Sequence, residues 1–161
     1  MNIIVKTLDN SFSKSIIDIV LPIQQLEFGV TITLGDQPDL LDIENYYITN
    51  GGNFWGAISN NELCGTIALL RFNEKAGAIR KMFVKKEFRG KEFGIASLLL
   101  EELLSHCRNN GIEDLYLGTV DILKAAIRFY EKKGFVQIDK SELPSDFPIM
   151  NADNIFCHLT Y

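Results

Sequence analysis

Residues 76–104 read AGAIRKMFVKKEFRGKEFGIASLLLEELL, and they pass through three kinds of local structure in turn. Residues 76–84 form a mostly apolar run that predicts a β-strand. Gly90 and Gly94 mark a turn, and the leucines that follow recur at the spacing of an amphipathic helix. This arrangement leaves the first amides of the helix free to donate to phosphate oxygens, although an ordinary helix-start turn is the alternative. The turn lacks the Gly-Lys-Ser/Thr of a Walker A loop and the three glycines of a dinucleotide fingerprint.

The sequence on both sides of this stretch extends the order of elements. Upstream, strand-like runs separated by short polar turns predict an antiparallel meander, and downstream, alternating strands and helices predict a βαβαβ half. The predicted strands are residues 3–8, 53–59, 63–72, 76–84, 112–119, 135–138 and 154–161, and the predicted helices are residues 13–28, 39–50, 123–133 and one that opens at residues 89–96 and closes near Gly111. Pro22 is expected to kink or divide the first helix. The pattern therefore predicts a mixed α/β or α+β fold.

The composition is that of a globular protein. The chain has 161 residues, 47% hydrophobic and 23% charged, and a chain of this size buries roughly 70% of the surface that its unfolded form exposes, enough for one core. No apolar run approaches the ~20 residues of a membrane span, and residues 1–14 lack the apolar centre of a signal peptide, so we expect a cytoplasmic protein. Cys64, Cys107 and Cys157 lie in apolar patterns without Cys-x-x-Cys spacing, so we expect buried thiols rather than disulfides or a zinc site.

Charge is distributed unevenly along the chain. The net charge of -5 argues against nucleic acid as a main partner, because such affinity comes mostly from neutralising phosphates. Residues 15–70 contain seven acidic residues and no Lys or Arg, whereas residues 71–91 contain eight basic and two acidic residues, a local net charge of +6. This pattern suits a polyanionic ligand at one site and a cationic ligand beside it, with an uneven solvated surface as the alternative.

Two segments resemble motifs of the GNAT superfamily of acyl-CoA-dependent N-acetyltransferases. Residues 91–96, KEFGIA, are preceded by Arg89 and Gly90 and resemble the family's R/Q-x-x-G-x-G/A turn, with Lys in the first position. Residues 126–135, AIRFYEKKGF, resemble the family's A-x-x-x-Y-E-x-x-G-F segment. The resemblance covers roughly residues 54–135.

The resemblance implies a GNAT-like fold: a mixed, mainly antiparallel central sheet flanked by helices, forming one N-acetyltransferase domain over residues 1–161. It implies acetyl-CoA as acyl donor, with its pyrophosphate on the amides of the turn and its pantetheine arm along the preceding strand. The implied cofactor-binding residues are Met82, Phe83, Val84, Arg89, Gly90, Lys91, Phe93, Gly94, Ile95, Ala96 and Tyr130. A second frame of the turn starts at Arg89 and puts Glu92 where the first glycine belongs. Leu123 stands where many members have Asn, so that hydrogen bond is missing or comes from another group, such as Asp121.

Acetylation of an amine by a thioester needs a neutral amine, a stabilised oxyanion and a proton for the leaving thiolate. The resemblance implies Tyr130 as the general acid at the thiol sulfur, and the oxyanion donor would be a backbone amide near Phe83 or Val84. The strand before the turn contains no carboxylate. We therefore predict Glu27, at the end of the first helix, as the general base. The alternatives are bulk water and the side chains of Asp39, Glu44, Tyr46 and Tyr47.

The sequence predicts an N-acetyltransferase that works by direct transfer in a ternary complex, without a metal. The acidic residues 15–70 suggest a cationic acceptor, such as a polyamine, an aminoglycoside-like amine or a protein amino group. Neither nucleic acid nor a membrane is an expected partner, and a homodimer is expected because small domains of this kind often pair through sheet edges. The alternative function is a non-catalytic acyl-CoA sensor, because Glu92, Leu123 and the missing strand carboxylate depart from the family pattern. A third is an interaction domain without a ligand.

Overall fold

A single sheet runs through the chain in the computed structural model, which describes residues 2–160. Within these residues the sheet has seven strands in the order β1-β2-β3-β4-β5-β7-β6. The strands are β1 Ile3–Thr7, β2 Asn53–Ser59, β3 Glu62–Arg71, β4 Ala76–Val84, β5 Asp114–Thr119, β6 Val136–Ile138 and β7 Ile155–Thr160. Among these seven described strands, only β4 and β5 pair in parallel. The predicted fold class is confirmed; Met1 and Tyr161, the ends of the predicted domain and last strand, lie outside the described residues.

Three α-helices flank the sheet in the described part of the chain: α1 Ser13–Leu21, α2 Ile95–Asn109 and α3 Lys124–Lys132. Pro22 divides the first predicted helix as expected, because α1 ends there and a π-helical turn, Pro22–Glu27, continues the chain. The prediction of a helix over residues 39–50 is wrong. Two short segments, a 3₁₀ turn Pro38–Leu41 and a π-helical turn Glu44–Ile48, take its place.

Asp42 interrupts the helix predicted over residues 39–50. Its backbone leaves the helical region, with φ −151° and ψ 68°, and its carboxylate accepts hydrogen bonds from the side chains of Asn10 and Asn45. Short acidic side chains of this kind compete with helical hydrogen bonding by bonding locally. Residues 39–50 therefore form two short segments on either side of Asp42, although their apolar spacing predicts one continuous helix.

The two faces of the sheet bury different helices. Helices α2 and α3 pack on one face around a core that includes Leu69, Ile79 and Leu117, and α1 packs on the other around Phe54 and other buried residues. The alternation of side chains along each strand produces this division. The three cysteines, Cys64, Cys107 and Cys157, are buried, as their apolar surroundings in the sequence predict.

The parallel pair β4 and β5 stays together over only part of its length. Residues 76–79 pair with residues 114–117, and the pairing ends at Ile79 and Leu117. A β-bulge lies just beyond, where Lys81 and Met82 of β4 oppose a single residue of β3, and Lys81 has a positive φ of 54°. A bulge bends its strand, so the ends of β4 and β5 separate and the sheet opens beside them.

Gly52 directly precedes β2 and lies close to the backbone of β3, so adding a side chain there tests the described packing. A Cβ atom added there would lie 2.0 Å from the backbone oxygen of Leu69. We expect Gly52→Ala to lower the free energy of unfolding by about 3 kcal/mol, as overpacking against backbone does. In the control Gly35→Ala the added methyl group lies 3.6 Å from its nearest neighbour. Urea denaturation of both variants checks this, and equal stabilities would contradict the described packing.

Candidate functional site

A pocket opens where β4 and β5 separate. Its walls come from β4, the end of β5, the segment before α3, the loop before β7 and the chain after α1. Three of its lining residues carry a charge: Arg80 and Lys81 from β4, and Asp153 from the loop before β7. The reactive groups of this pocket therefore come from distant parts of the chain, gathered at one break in the sheet.

Lys81 is buried at the bulge and belongs to a network of polar side chains. Its Nζ donates a hydrogen bond to Gln37 Oε1 and lies 3.6 Å from Asp39 Oδ2. The hydroxyl of Tyr47 donates to the same Asp39 oxygen at 2.5 Å, and Gln37 Nε2 donates to Gln24 Oε1 at 2.9 Å. Burial lowers the pKa of Lys81, while Asp39 opposes that shift. This network ties the chain that follows α1 to the middle of β4.

Arg80 lies next to this network and faces the pocket. One of its Nη atoms donates to the carbonyl oxygen of Pro148 at 2.5 Å, which ties the loop before β7 to β4. Arg80 also acts on the buried hydroxyl of Tyr47 and opposes the rise in its pKa that burial causes. Arg80 therefore supplies fixed positive charge to the pocket wall.

Asp153 lines the same pocket as the two cations. A Cβ atom added to Gly118 of β5 would lie 2.4 Å from Asp153 Oδ2, so the carboxylate lies directly against the backbone of that glycine. Burial raises the pKa of Asp153 to about 6, and Arg80 and Lys81 oppose the rise. Sequence reasoning missed this residue, because it lies in an irregular loop without a motif.

The turn between β4 and α2 has the shape that the sequence predicts. Gly94 has a positive φ of 62° and directly precedes α2, and its amide and that of Phe93 donate to the carbonyl oxygen of Gly90. The first amides of α2 have no carbonyl partner within the helix, which makes them donors for an anion. Lys91 lies exposed at this turn, with its charge in solvent.

Arg89 is already engaged at this turn. Its Nε donates to the carbonyl oxygen of Val84 at 2.9 Å, and both its Nη atoms donate to the carboxylate of Glu27, one at 2.8 Å. This hydrogen bonding lowers the pKa of Glu27. Glu27 lies in a separate groove beside Pro22 and outside the pocket between β4 and β5. The pairing and the placement both weigh against Glu27 as the base, because a carboxylate with a lowered pKa holds a proton weakly.

Tyr130 lies in the core and is not among the residues that line the pocket. It belongs to the same buried cluster as Ile79 and Leu117, is 4% exposed, and packs edge to face on Phe135 at 5.3 Å between ring centroids. Burial raises its pKa, so its hydroxyl stays protonated at neutral pH. The structure thus places a protonated phenol in the core on the side of the sheet that α2 and α3 cover.

The alternative bases predicted from the sequence, Asp39, Glu44, Tyr46 and Tyr47, are not among the residues that line the pocket. Asp39 and Tyr47 are hydrogen-bonded to each other in the buried network, and Glu44 accepts a hydrogen bond from the amide of Asn10. Leu123 lines the pocket. Among residues 2–160, no cluster of His, Cys, Asp and Glu is arranged to hold a metal ion, and no helix is long and apolar enough to cross a membrane.

A sheet that opens between two parallel strands, followed by a glycine turn into a helix, defines the class of fold that acyl-CoA acetyltransferases use. The family model described as acetyltransferase (GNAT) family matches residues 18–135. The chain belongs to this family, and the predicted resemblance is confirmed.

Several relatives and solved structures are similar to this chain. A GNAT acetyltransferase from Staphylococcus aureus superposes with a TM-score of 0.95 at 38% identity and covers 99% of both chains. N-acetylaspartate synthetase from Danio rerio is 33% identical over 106 residues, which are 65% of this chain and 37% of that protein. The human N-acetylaspartate synthetase is 31% identical over 129 residues, which are 76% of this chain and 41% of that protein. The chain thus spans less than half the length of these curated relatives.

The buried ion pair of Lys81 and Asp39 can be tested by removing its carboxylate. We expect Asp39→Ala to lower the free energy of unfolding by about 3 kcal/mol, because it leaves the Lys81 ammonium buried without its carboxylate. Urea denaturation at pH 7 measures the change.

Two controls separate this effect from a general loss of side chains. Asp18→Ala removes an exposed pair with Lys14 and should cost less than about 0.5 kcal/mol. The double variant Asp39→Asn with Lys81→Met should recover more than half of the lost stability, since no charge is then buried. A cost for Asp39→Ala as small as that for Asp18→Ala would contradict the buried network.

Proposed function

We propose that this protein transfers an acetyl group from acetyl-CoA to an amine acceptor, directly, in a ternary complex. The observation that carries the proposal is the break between β4 and β5, which leads along β4 to the glycine turn at the start of α2. Membership of the GNAT family supports the same reaction. Solved neighbours of the same fold contain coenzyme A or acetyl-CoA, among them proteins from Thermoplasma acidophilum and Elizabethkingia anophelis.

Backbone groups would hold most of the acyl donor. Past Ile79, β4 has no β5 partner, so the backbone groups of residues 82–84 that do not bond to β3 would be available to the pantetheine amides. The carbonyl oxygen of Val84 is the exception, because it already accepts a hydrogen bond from Arg89. Ile95 and Ala96 begin α2 directly after Gly94. Their backbone amides would donate hydrogen bonds to the pyrophosphate. Lys91 would add positive charge, whereas Arg89 is already paired with Glu27. A role of Arg89 at the pyrophosphate therefore requires that pair to open.

The remaining groups fit the chemistry of thioester aminolysis. The amine nitrogen attacks the thioester carbon, a backbone N–H near Phe83 or Val84 donates a hydrogen bond to the oxyanion that forms, and the carbon–sulfur bond then breaks. Tyr130 donates its proton to the leaving thiolate, a role that suits a phenol kept protonated by burial. The amine proton needs a separate acceptor.

The acceptor is an amine that also bears a carboxylate. None of the seven acids of residues 15–70 lines the pocket, whose wall instead carries Arg80 and Lys81. The expectation of a cationic acceptor thus lacks the acidic wall that it needs. Relatives are named N-acetylaspartate synthetase, and the neighbour N-acetylglutamate synthase from Neisseria gonorrhoeae contains coenzyme A and N-acetyl-glutamate. These names agree with a carboxylate-bearing acceptor.

An acceptor panel tests both parts of this proposal. Calorimetry should show one acetyl-CoA bound per chain, and incubation with L-aspartate, L-glutamate, spermidine or a lysine peptide should release coenzyme A fastest with the two amino acids. Arg80→Gln should raise the KM of the preferred amino acid about tenfold, the value of one charge-assisted hydrogen bond. Thiol release and mass spectrometry of the product measure both.

The matched control is Arg108→Gln, because Arg108 lies on the exposed face of α2 in a pair with Glu101. Its KM should equal that of the parent protein. Preference for spermidine would restore the cationic acceptor predicted from the sequence. Binding of acetyl-CoA without release by any amine would support the non-catalytic acyl-CoA sensor instead.

The general-acid role has its own test in Tyr130→Phe. We expect kcat to fall about a hundredfold with an unchanged dissociation constant for acetyl-CoA, since the ring remains and only the proton donor is lost. Tyr116→Phe, on β5 and stacked against His158, is the control and should retain the parent kcat. Equal kcat values for both variants would remove Tyr130 from the reaction.

A further inference from the structure

Amine acetylation requires a group that takes the proton of the incoming ammonium, and the pocket offers one. Arg80, Lys81 and Asp153 are the charged residues among those that line it, so Asp153 is its acid. We propose that Asp153 is the general base of this protein, a role that rests on the acetyl transfer proposed above. The same carboxylate would anchor the acceptor ammonium while Arg80 holds the acceptor carboxylate.

The position of Asp153 follows from the register of the sheet. Leu117 is the last residue of β5 that pairs with β4. The Asp153 carboxylate lies against the backbone of the next residue, Gly118. Two hydrogen bonds hold the loop there: the amide of Asp153 donates to Met150, and the amide of Asn154 donates to Thr119. The carboxylate is therefore fixed at the point where β4 and β5 separate. This is also where the transferred acetyl group would lie.

The Asp153 carboxylate is free to accept a proton, in contrast to the Glu27 carboxylate. In the described part of the chain, no Lys or Arg nitrogen lies within 4.0 Å of Asp153, whereas Glu27 is held by both Nη atoms of Arg89. Lys81 is bonded to Gln37 and paired with Asp39 instead. A carboxylate without a resident partner can exchange a proton with a substrate amine.

The surroundings of the Asp153 carboxylate set its pKa in a range that suits a general base. Arg80 and Lys81 of β4 are the charged groups that act on it, and the pocket residues contributed by β5, the segment before α3 and the chain after α1 are uncharged. With a pKa of about 6 instead of 3.8, it binds a proton roughly a hundredfold more tightly and is still mostly ionised at pH 7. Both properties favour a base at neutral pH.

The step balances without a further reactant. One N–H proton of the ammonium moves to an Oδ atom of Asp153, and the freed lone pair forms the new carbon–nitrogen bond. When the carbon–sulfur bond breaks, its electron pair stays on sulfur, which takes the Tyr130 proton. The second amine proton, lost as the amide forms, can return to the Tyr130 oxygen through solvent, and Asp153 releases its proton to bulk water.

The decisive measurement is the pH dependence of kcat/KM for the preferred amino acid of the panel, at saturating acetyl-CoA. The parent protein should lose activity as the pH falls through about 6, because Asp153 becomes protonated there. Asp153→Asn should lower kcat/KM at pH 7 about a hundredfold. Its activity should then rise about tenfold per pH unit between pH 7 and 9, because only the neutral amine in solution can react.

Asp146→Asn is the matched control, since Asp146 lies in the same loop but bonds the exposed Asn73 outside the pocket. It should reproduce the parent profile. An Asp153→Asn variant with the parent rate and acidic limb overturns the base while the transferase stands. A parent protein that releases no coenzyme A with any amine overturns the proposed function and the base together.

A loss of folding in Asp153→Asn would be visible as weaker acetyl-CoA binding by calorimetry. In that case Asp153→Glu decides, because it keeps a carboxylate in the loop. A retained acidic limb with a shifted midpoint supports the base, and a profile without that limb overturns it.

Discussion

The rest of the site depends on one constraint, the end of the β4–β5 pairing at Ile79 and Leu117. Each strand keeps its other neighbour: β4 stays on β3 through the bulge, and β5 stays on β7 as far as Thr119. The separated edges present backbone groups that have lost a strand partner. A buried backbone group without a hydrogen bond costs about 1–3 kcal/mol. A ligand with amide groups of its own, laid along β4, would satisfy them, which is why we propose the opening in the sheet as the binding surface for the acyl donor.

Charge pairs hold the surrounding elements against this opening. Glu27 binds Arg89 and so joins the end of the π-helical turn to the end of β4, while Asp39 and Gln37 bind Lys81 at the bulge. Three of the seven acids of residues 15–70, Glu27, Asp39 and Glu62, thus pair with cations of residues 71–91 within the protein. These internal pairs account for part of the uneven charge along the sequence without a cationic ligand.

Local patterns predicted the fold well where the signal is local. The observed β2 and β4 have the predicted bounds, residues 53–59 and 76–84, because apolar runs bounded by polar turns mark strand ends. The turn at Gly94 was predictable as well, since its positive φ favours glycine. The helix over residues 39–50 was not, because the Asp42 side chain bonds Asn10, 32 residues away in the chain. A prediction from the spacing of apolar residues within 39–50 does not include Asn10 and so cannot detect this contact.

The site was harder to predict, because its polar groups depend on contacts between distant segments. Glu27 has the residue type of a base, yet Arg89, 62 positions later, occupies its carboxylate and lowers its pKa. Asp153 has no motif around it, and its raised pKa arises only when the loop before β7 is folded onto Gly118. A carboxylate's chemistry is set by what surrounds it. A carboxylate therefore forms an ion pair with Arg89 at one end of β4, whereas in the pocket the Asp153 carboxylate has no Lys or Arg within 4.0 Å in the described part of the chain.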